Sequence, residues 1–109
     1  MMFTFGLEPG LYDALLDDLK GKDRVAHDLA LNKICEAAMP FIERIVDSDS
    51  SMTGFDKGDL RQEGMMEVIS MLGKGTPGWD DGIGESGMPL RMEAQIRRSI
   101  QKFIARVAA

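Results

Sequence analysis

The sequence predicts an all-α protein, a compact bundle of about four helices that forms one domain. Apolar residues recur at intervals of three and four along four separate stretches, and no stretch alternates apolar and polar residues as a strand does. Segments rich in glycine, proline or small polar residues separate the four stretches. With 109 residues and a mass of 12.0 kDa, the chain is long enough for a single modest core.

The first two helices are predicted before residue 50. Pro9 suits a first helical turn and Gly21 is a natural stop, so helix one covers about residues 9–20, with Leu11, Leu15, Leu16 and Leu19 buried. Asp23 can cap a longer helix two that ends at Asp47. Its predicted apolar stripe comprises Val25, Leu29, Ile34, Cys35, Ala38, Phe41, Ile42, Ile45 and Val46. Pro40 removes one internal hydrogen bond, so we expect this helix to bend or break there. Residues 1–7 are expected to be a loosely packed lead.

The third and fourth helices are separated by a long glycine-rich segment. Helix three begins after Asp56 or Gly58 and ends near Gly73, with Leu60, Gly64, Val68 and Met71 on one side. Residues 73–87 contain six glycines in fifteen positions, so we expect a flexible connector without regular structure. Ser86 or Gly87 then caps a last helix. This last helix is predicted to expose most of its basic residues and to bury Met92, Ile96, Ile100, Phe103, Ile104 and Val107.

The charge of the chain is unevenly distributed. The net charge is −5, which speaks against general binding of phosphate backbones by the whole molecule. Residues 88–109, however, carry five basic residues and one acid, a local charge of +4 that leaves −9 on the rest. Two interpretations remain open for this basic helix. In the first interpretation, the helix contacts phosphates or an acidic partner. In the second, its basic face is only solvated, and the cations near its C-terminus offset the helix dipole.

Several motifs resemble known ligand sites without matching them. GKGTPG has the glycine spacing of a dinucleotide loop, but it follows a helix where that loop requires a strand. DSDSSMTGFDKG begins like a calcium loop, but Met52 and Gly58 replace the glycine and glutamate that the loop needs at positions six and twelve. We therefore expect neither a nucleotide cofactor nor a metal.

The cysteine and histidine content also argues against an enzyme. Cys35 and His27 are the only residues of their types, so zinc would have too few ligands and a hydrolytic triad cannot be assembled. A single cysteine makes no internal disulfide and fits a reducing compartment. The opening MMFTFGLEPG lacks the features of a secretory signal, and no run of about 18 apolar residues occurs, so we expect a cytoplasmic protein.

Residues 55–72, FDKGDLRQEGMMEVISML, resemble the second region of bacterial sigma factors. That region typically reads as a loop, then Asp-Leu-x-Gln-Glu-Gly, then an apolar helix. The later segment MEAQIRRSIQKFIARVA is similar to the following sigma helix, with its Ile-Arg-x-x-Ile pattern, and LALNKICEAAMPFIERIV occupies the place of the preceding long helix. The resemblance covers about residues 29–109 and implies that the helical bundle resembles sigma factor region 2.

The resemblance implies a binding function and candidate site residues. In sigma factors the Asp-Leu-x-Gln-Glu-Gly block grips the clamp helices of the RNA polymerase β′ subunit. By matching position, the polymerase-binding residues are Asp59, Gln62, Glu63, Met65 and Ile69, and Gly64 would let backbones approach closely. The alternative is that Gln62 and Glu63 form an exposed helix turn and that Gly64 is a helix-packing contact. The implied contacts to promoter DNA fall on Arg98, Gln101 and Lys102, and the local positive charge adds Arg91 and Arg97.

The sequence also departs from the sigma pattern. The aromatic residues that stack on unpaired promoter bases are replaced at positions 90–95 by LRMEAQ, while Trp79 lies in the connector. The sequence ends where a helix-turn-helix domain would follow in a sigma factor. We therefore expect a small, divergent, phage-like factor that either directs RNA polymerase or competes for its clamp, with a second transcription factor reading the promoter. The alternatives are a viral structural or assembly adaptor, and a nucleic-acid-binding module that acts through the basic helix alone.

Overall fold

The computed structural model describes residues 3–74 and 82–108. Within them lie four α-helices, and the all-α prediction is confirmed. They are α1 (Pro9–Lys20), α2 (Arg24–Ser48), α3 (Lys57–Gly73) and α4 (Leu90–Ala108), with a short 3₁₀ helix (Ser50–Met52) between α2 and α3. The long α2 packs against both α1 and α3, and α3 packs in turn against α4.

Side-chain caps fix the beginnings of two helices. The Asp23 carboxylate accepts hydrogen bonds from the backbone N–H groups of Val25 (3.0 Å) and Ala26 (3.2 Å), so it caps α2 as predicted. Asp56 accepts from the N–H of Asp59 at 3.0 Å, so Asp56 rather than Gly58 caps α3. These caps satisfy donors that have no partner inside the helix, which explains why α2 and α3 begin where they do.

Pro40 does not break α2, which continues through it without interruption. Proline lacks the N–H that would bond to the carbonyl of residue 36. Both Pro40 and Glu36 are exposed, so water can solvate that carbonyl. Ala38 and Ile42, on either side of the proline, are fully buried and hold the helix against its neighbours.

The core forms along one narrow face of α2, where every third or fourth residue is buried: Ala30, Ile34, Ala38, Ile42 and Ile45. The predicted stripe was too wide, because Val25 and Leu29 are exposed. In α1 the buried residues are Tyr12 and Leu15, whereas Leu11 is exposed, contrary to prediction. In α4, Val107 is exposed in the last turn. In α3 the prediction is confirmed, since Leu60, Gly64, Val68 and Met71 are all buried.

Residues 3–7 are held by aromatic packing, so the expectation of a loosely packed lead is wrong for them. Phe5 is buried, and its ring centroid lies 4.9 Å from that of Phe3 and 6.2 Å from that of Tyr12. Phe3 also meets Phe41 of α2 edge to face, at 5.4 Å. Edge-to-face ring pairs add to the stabilisation from buried area, which explains why a short segment without helix or strand stays in place.

The glycine-rich connector ends in an ordered turn. Residues 75–81, including Trp79, lie outside the described residues. Residues 82–87 contain no helix or strand and belong to a turn closed by an isolated bridge between Ile83 and Pro89. The N–H of Gly84 bonds to the Met88 carbonyl (2.8 Å), and the N–H of Leu90 bonds to the Gly82 carbonyl (3.0 Å). Gly82 and Gly87 have φ angles of 96° and 91°, a conformation that glycine adopts without strain. This turn precedes α4 directly.

Candidate docking surface and basic helix face

The exposed side of α3 presents a mixed polar and apolar strip. Asp59, Gln62, Met66 and Ile69 recur at helical spacing and share one face, with Met66 55% exposed and Ile69 38% exposed. We call these four residues the α3 strip. Three of the predicted polymerase-binding residues, Asp59, Gln62 and Ile69, are therefore brought together on one accessible surface.

The other two predicted residues lie at the edges of this strip. The Glu63 side chain is only 19% exposed, and its Oε1 is 3.9 Å from Nη2 of Arg106 in α4. Met65 is half-buried and packs against the core. Met66, which the resemblance to sigma factors did not select, is more accessible than Met65. Helical spacing alone could have placed Met66 on this face, because Met66 lies four residues after Gln62 and seven after Asp59.

Gly64 faces the core and not a partner, which corrects the role that the resemblance implied. A Cβ atom at this position would lie 2.9 Å from Cγ2 of Ile42 in α2. It would also lie 3.4 Å from Cγ2 of Ile96 and 3.5 Å from Cδ1 of Ile100, both in α4. The glycine that weakens this helix therefore allows α3 to approach two neighbouring helices closely.

The predicted DNA-binding residues of α4 divide into two groups. Arg91, Arg98, Gln101 and Lys102 are exposed, and Arg91, Arg98 and Lys102 follow one face at intervals of seven and four residues. Arg97 has a different environment. Its Nη1 is 2.7 Å from Oδ2 of Asp49 and its Nη2 is 2.8 Å from Oε1 of Glu93, so it binds two carboxylates of its own chain.

The Arg97 network, which we define as Arg97, Glu93 and Asp49, joins α4 to the segment between α2 and α3. The pKa of Asp49 is lowered chiefly by a hydrogen bond from the Ser51 hydroxyl, against an opposing effect of burial, and Arg97 lowers it further. Burial acts to lower the pKa of Arg97, but its bonds to Glu93 and Asp49 outweigh this effect and raise the pKa. This network was not predicted from the sequence, although the i, i+4 spacing of Glu93 and Arg97 is a local signal for half of it.

Side chains of the remaining polar motifs also make contacts within the chain. In the calcium-like segment, Asp47 pairs with Lys57 at 2.8 Å. His27 Nδ1 lies 3.1 Å from Oδ1 of Asp28, and burial raises the pKa of the Cys35 thiol, which disfavours the nucleophilic thiolate. Across residues 3–74 and 82–108, no group of three or more His, Cys, Asp or Glu side chains is placed to hold a metal ion. None of the helices in these two ranges is both long and apolar enough to cross a membrane.

No protein-family model, curated protein or solved structure that we compared matches this chain.

Proposed function

We propose that this protein is a sigma-like transcription factor or regulator that binds the β′ clamp helices of bacterial RNA polymerase through α3. One observation carries the proposal: Asp59 and Gln62, the polar residues of the sigma-like block, lie exposed on one face of α3 together with Ile69. Leu60 and Gly64 of the same block are buried in the core. Some residues of the block thus stabilise the fold, and others are available to a partner.

The chemistry of the α3 strip suits a helical partner with basic residues. A carboxylate and an amide can both accept hydrogen bonds from arginine, and bonds with ionised groups are about twice as strong as neutral ones. Met66 and Ile69 add apolar area beside these groups, as the centre of a protein interface requires. Because α3 is packed against α2 and α4, the strip is already ordered before binding, which reduces the entropy lost on association.

Binding to core RNA polymerase tests the proposal directly. We expect Asp59→Lys combined with Gln62→Ala to weaken binding at least about tenfold, because the change removes both polar contacts and places a cation opposite basic residues. The dissociation constant can be measured by immobilising this protein on a surface and titrating it with core enzyme, with purified sigma factor as competitor. Glu36→Lys combined with Asn32→Ala is the matched control, since it makes the same kinds of change on the exposed face of α2.

Two outcomes would contradict the proposal. One is the absence of binding between the wild-type protein and the core enzyme at micromolar concentration. The other is an equal loss of affinity in the α2 control and the α3 variant. Either result would favour the alternative of a viral assembly adaptor, whose helical bundle packs against a scaffold.

A weaker contact between α4 and promoter DNA is a second candidate function. The supporting observation is that Arg91, Arg98 and Lys102 follow one exposed face of α4, with Gln101 beside them. Such a face can bind phosphates along a duplex. The −9 charge on the rest of the chain opposes this attraction, so the contact is expected to be strong only when polymerase holds the DNA nearby.

The salt dependence of DNA binding tests this second function. For each phosphate neutralised, the logarithm of the association constant falls by about 0.9 per decade of salt. We therefore expect Arg98→Ala with Lys102→Ala to reduce the slope by about 2, measured by fluorescence anisotropy of a labelled duplex with and without core polymerase. Lys22→Ala with Lys33→Ala removes the same charge from exposed positions elsewhere and should leave the slope unchanged. Equal slopes for the two variants would exclude a specific role of the α4 face.

A further inference from the structure

A shallow hollow on the surface of α4 is lined by cations and a hydroxyl group. Its lining residues are Ser99, Lys102, Ala105 and Arg106, and its volume is about 390 Å³. Two of these four side chains are cations, one carries a hydroxyl group, and none is an acid. Ser99, Lys102 and Arg106 recur at intervals of three and four residues, which places them within roughly 60° of each other around α4. The hollow therefore offers three donor side chains next to each other.

Contacts within the chain orient Arg106 beside this hollow. Its guanidinium carbon lies 5.9 Å from the centroid of the Phe103 ring, and its Nη2 lies 3.9 Å from Oε1 of Glu63. The Arg106 side chain is still 70% exposed, so its guanidinium group is accessible to a ligand. An exposed ion pair at this distance is weak, because water screens both charges. Glu63 therefore opposes an anion in the hollow without neutralising the site.

We infer that this hollow binds a phosphate group of a nucleic-acid backbone through Ser99, Lys102 and Arg106. The inference rests on the second candidate function, because it names the site at which α4 holds DNA and adds Ser99 and Arg106 to the contacts. Arginine and lysine form charge-assisted hydrogen bonds with phosphate oxygens, and a hydroxyl group donates a further bond. Arg98, Lys102 and Arg106 also follow each other at four-residue intervals, about 6 Å apart along the helix. Such a row of cations suits the repeated charges of a backbone.

An anionic membrane surface fits this helix less well than a nucleic acid. A helix that lies on a membrane inserts a continuous apolar face into the lipid. In α4 the apolar residues Met92, Ile96 and Ile100 are buried in the core of the protein, so that face is already covered. Leu90 and Val107 are exposed, but they lie at opposite ends of the helix. The accessible side of α4 therefore offers charge without a matching apolar face.

The salt dependence of duplex binding tests the inference, measured by fluorescence anisotropy of a labelled DNA duplex without polymerase. We expect Arg106→Gln to reduce the magnitude of the slope of log association constant against log salt by about 0.9, because one phosphate contact is lost. Arg24→Gln is the matched control, since it removes the same charge from an exposed position at the start of α2 and should leave the slope unchanged. An Arg106 that only offset the helix dipole would change the stability of the protein but not this slope.

Two substitutions that leave the cations in place test the other groups in the same assay. Ser99→Ala should weaken duplex binding about threefold without changing the slope, because it removes a hydrogen-bond donor but no charge. Ser70→Ala, at an exposed position of α3, is its control and should bind like the wild type. Glu63→Gln should strengthen binding about twofold, because it removes the acid that competes for Arg106. A gain in affinity cannot result from partial unfolding.

The outcomes separate this inference from the second candidate function. If the wild-type protein binds no duplex even at low salt, both fail. If it binds, and Arg98→Ala with Lys102→Ala reduces the slope while Arg106→Gln and Ser99→Ala match the wild type, only the phosphate site in the hollow is overturned. If the wild-type protein binds vesicles of anionic phospholipid but no duplex, this face of α4 meets a membrane surface and the inference is overturned.

Discussion

Replacing Gly64 with valine is expected to lower the free energy of unfolding by about 3 kcal/mol. Even the first added atom, Cβ, would lie 2.9 Å from Cγ2 of Ile42, 3.4 Å from Cγ2 of Ile96 and 3.5 Å from Cδ1 of Ile100. Valine adds two further methyl groups at this closely packed position. Ile42, Ile96 and Ile100 are fully buried, so they cannot turn aside into solvent. The helix propensity of valine exceeds that of glycine by less than about 1 kcal/mol, which is too little to offset the clash.

Urea unfolding followed by circular dichroism measures this effect, and a second glycine in the same helix provides the control. Nothing lies within 4 Å of a Cβ atom placed at Gly73, the last residue of α3. Gly73→Ala should therefore raise the free energy of unfolding by about 0.5 kcal/mol, through helix propensity alone. A Gly64→Val variant as stable as the wild type would mean that α3 does not approach Ile42, Ile96 and Ile100 this closely.

The positions of the helices were predictable because their signals are local. Pro9 and Gly21 at the ends of α1, and Asp23 and Asp56 at the beginnings of α2 and α3, act within three residues of themselves. The buried face of α3 was also predictable, since Leu60, Gly64, Val68 and Met71 keep a spacing of three and four along most of the helix. For such features the sequence contains all the necessary information.

Other features depend on contacts between distant parts of the chain. Leu11 and Tyr12 are adjacent and both apolar, so periodicity alone could not determine which of them α2 covers. The pairing of Arg97 with Asp49 spans 48 residues and became visible only in the fold. In the candidate site, the resemblance selected Met65, whereas the orientation of α3 exposes Met66. Motifs identified the helix that carries the site, and packing determined which of its side chains are accessible.

Arg97→Met is expected to lower the free energy of unfolding by about 3 kcal/mol at neutral pH. The variant keeps most of the apolar stem of arginine but leaves the carboxylates of Glu93 and Asp49 without their cation. Their side chains are only 7% and 14% exposed, so water replaces the lost contacts poorly. The expected loss lies at the lower end of the range that is usual for breaking a buried ion pair, because the Arg97 side chain is 25% exposed. Arg97→Lys should recover only part of the loss, since an ammonium group lacks the two-pronged geometry of guanidinium.

The pH dependence of this loss distinguishes the Arg97 network from simple packing. Asp49 has a pKa below its ordinary value of 3.8, owing first to Ser51 and then to Arg97, so its contribution is present above pH 4 and is lost as the pH falls through the lowered value. The difference in unfolding free energy between wild type and Arg97→Met should therefore be larger at pH 7 than at pH 3, by urea titration. Arg98→Met, at the exposed neighbouring position, should match the wild type at both values. A loss for Arg97→Met that is equal at both pH values would mean that its stem, and not its charge, stabilises the fold.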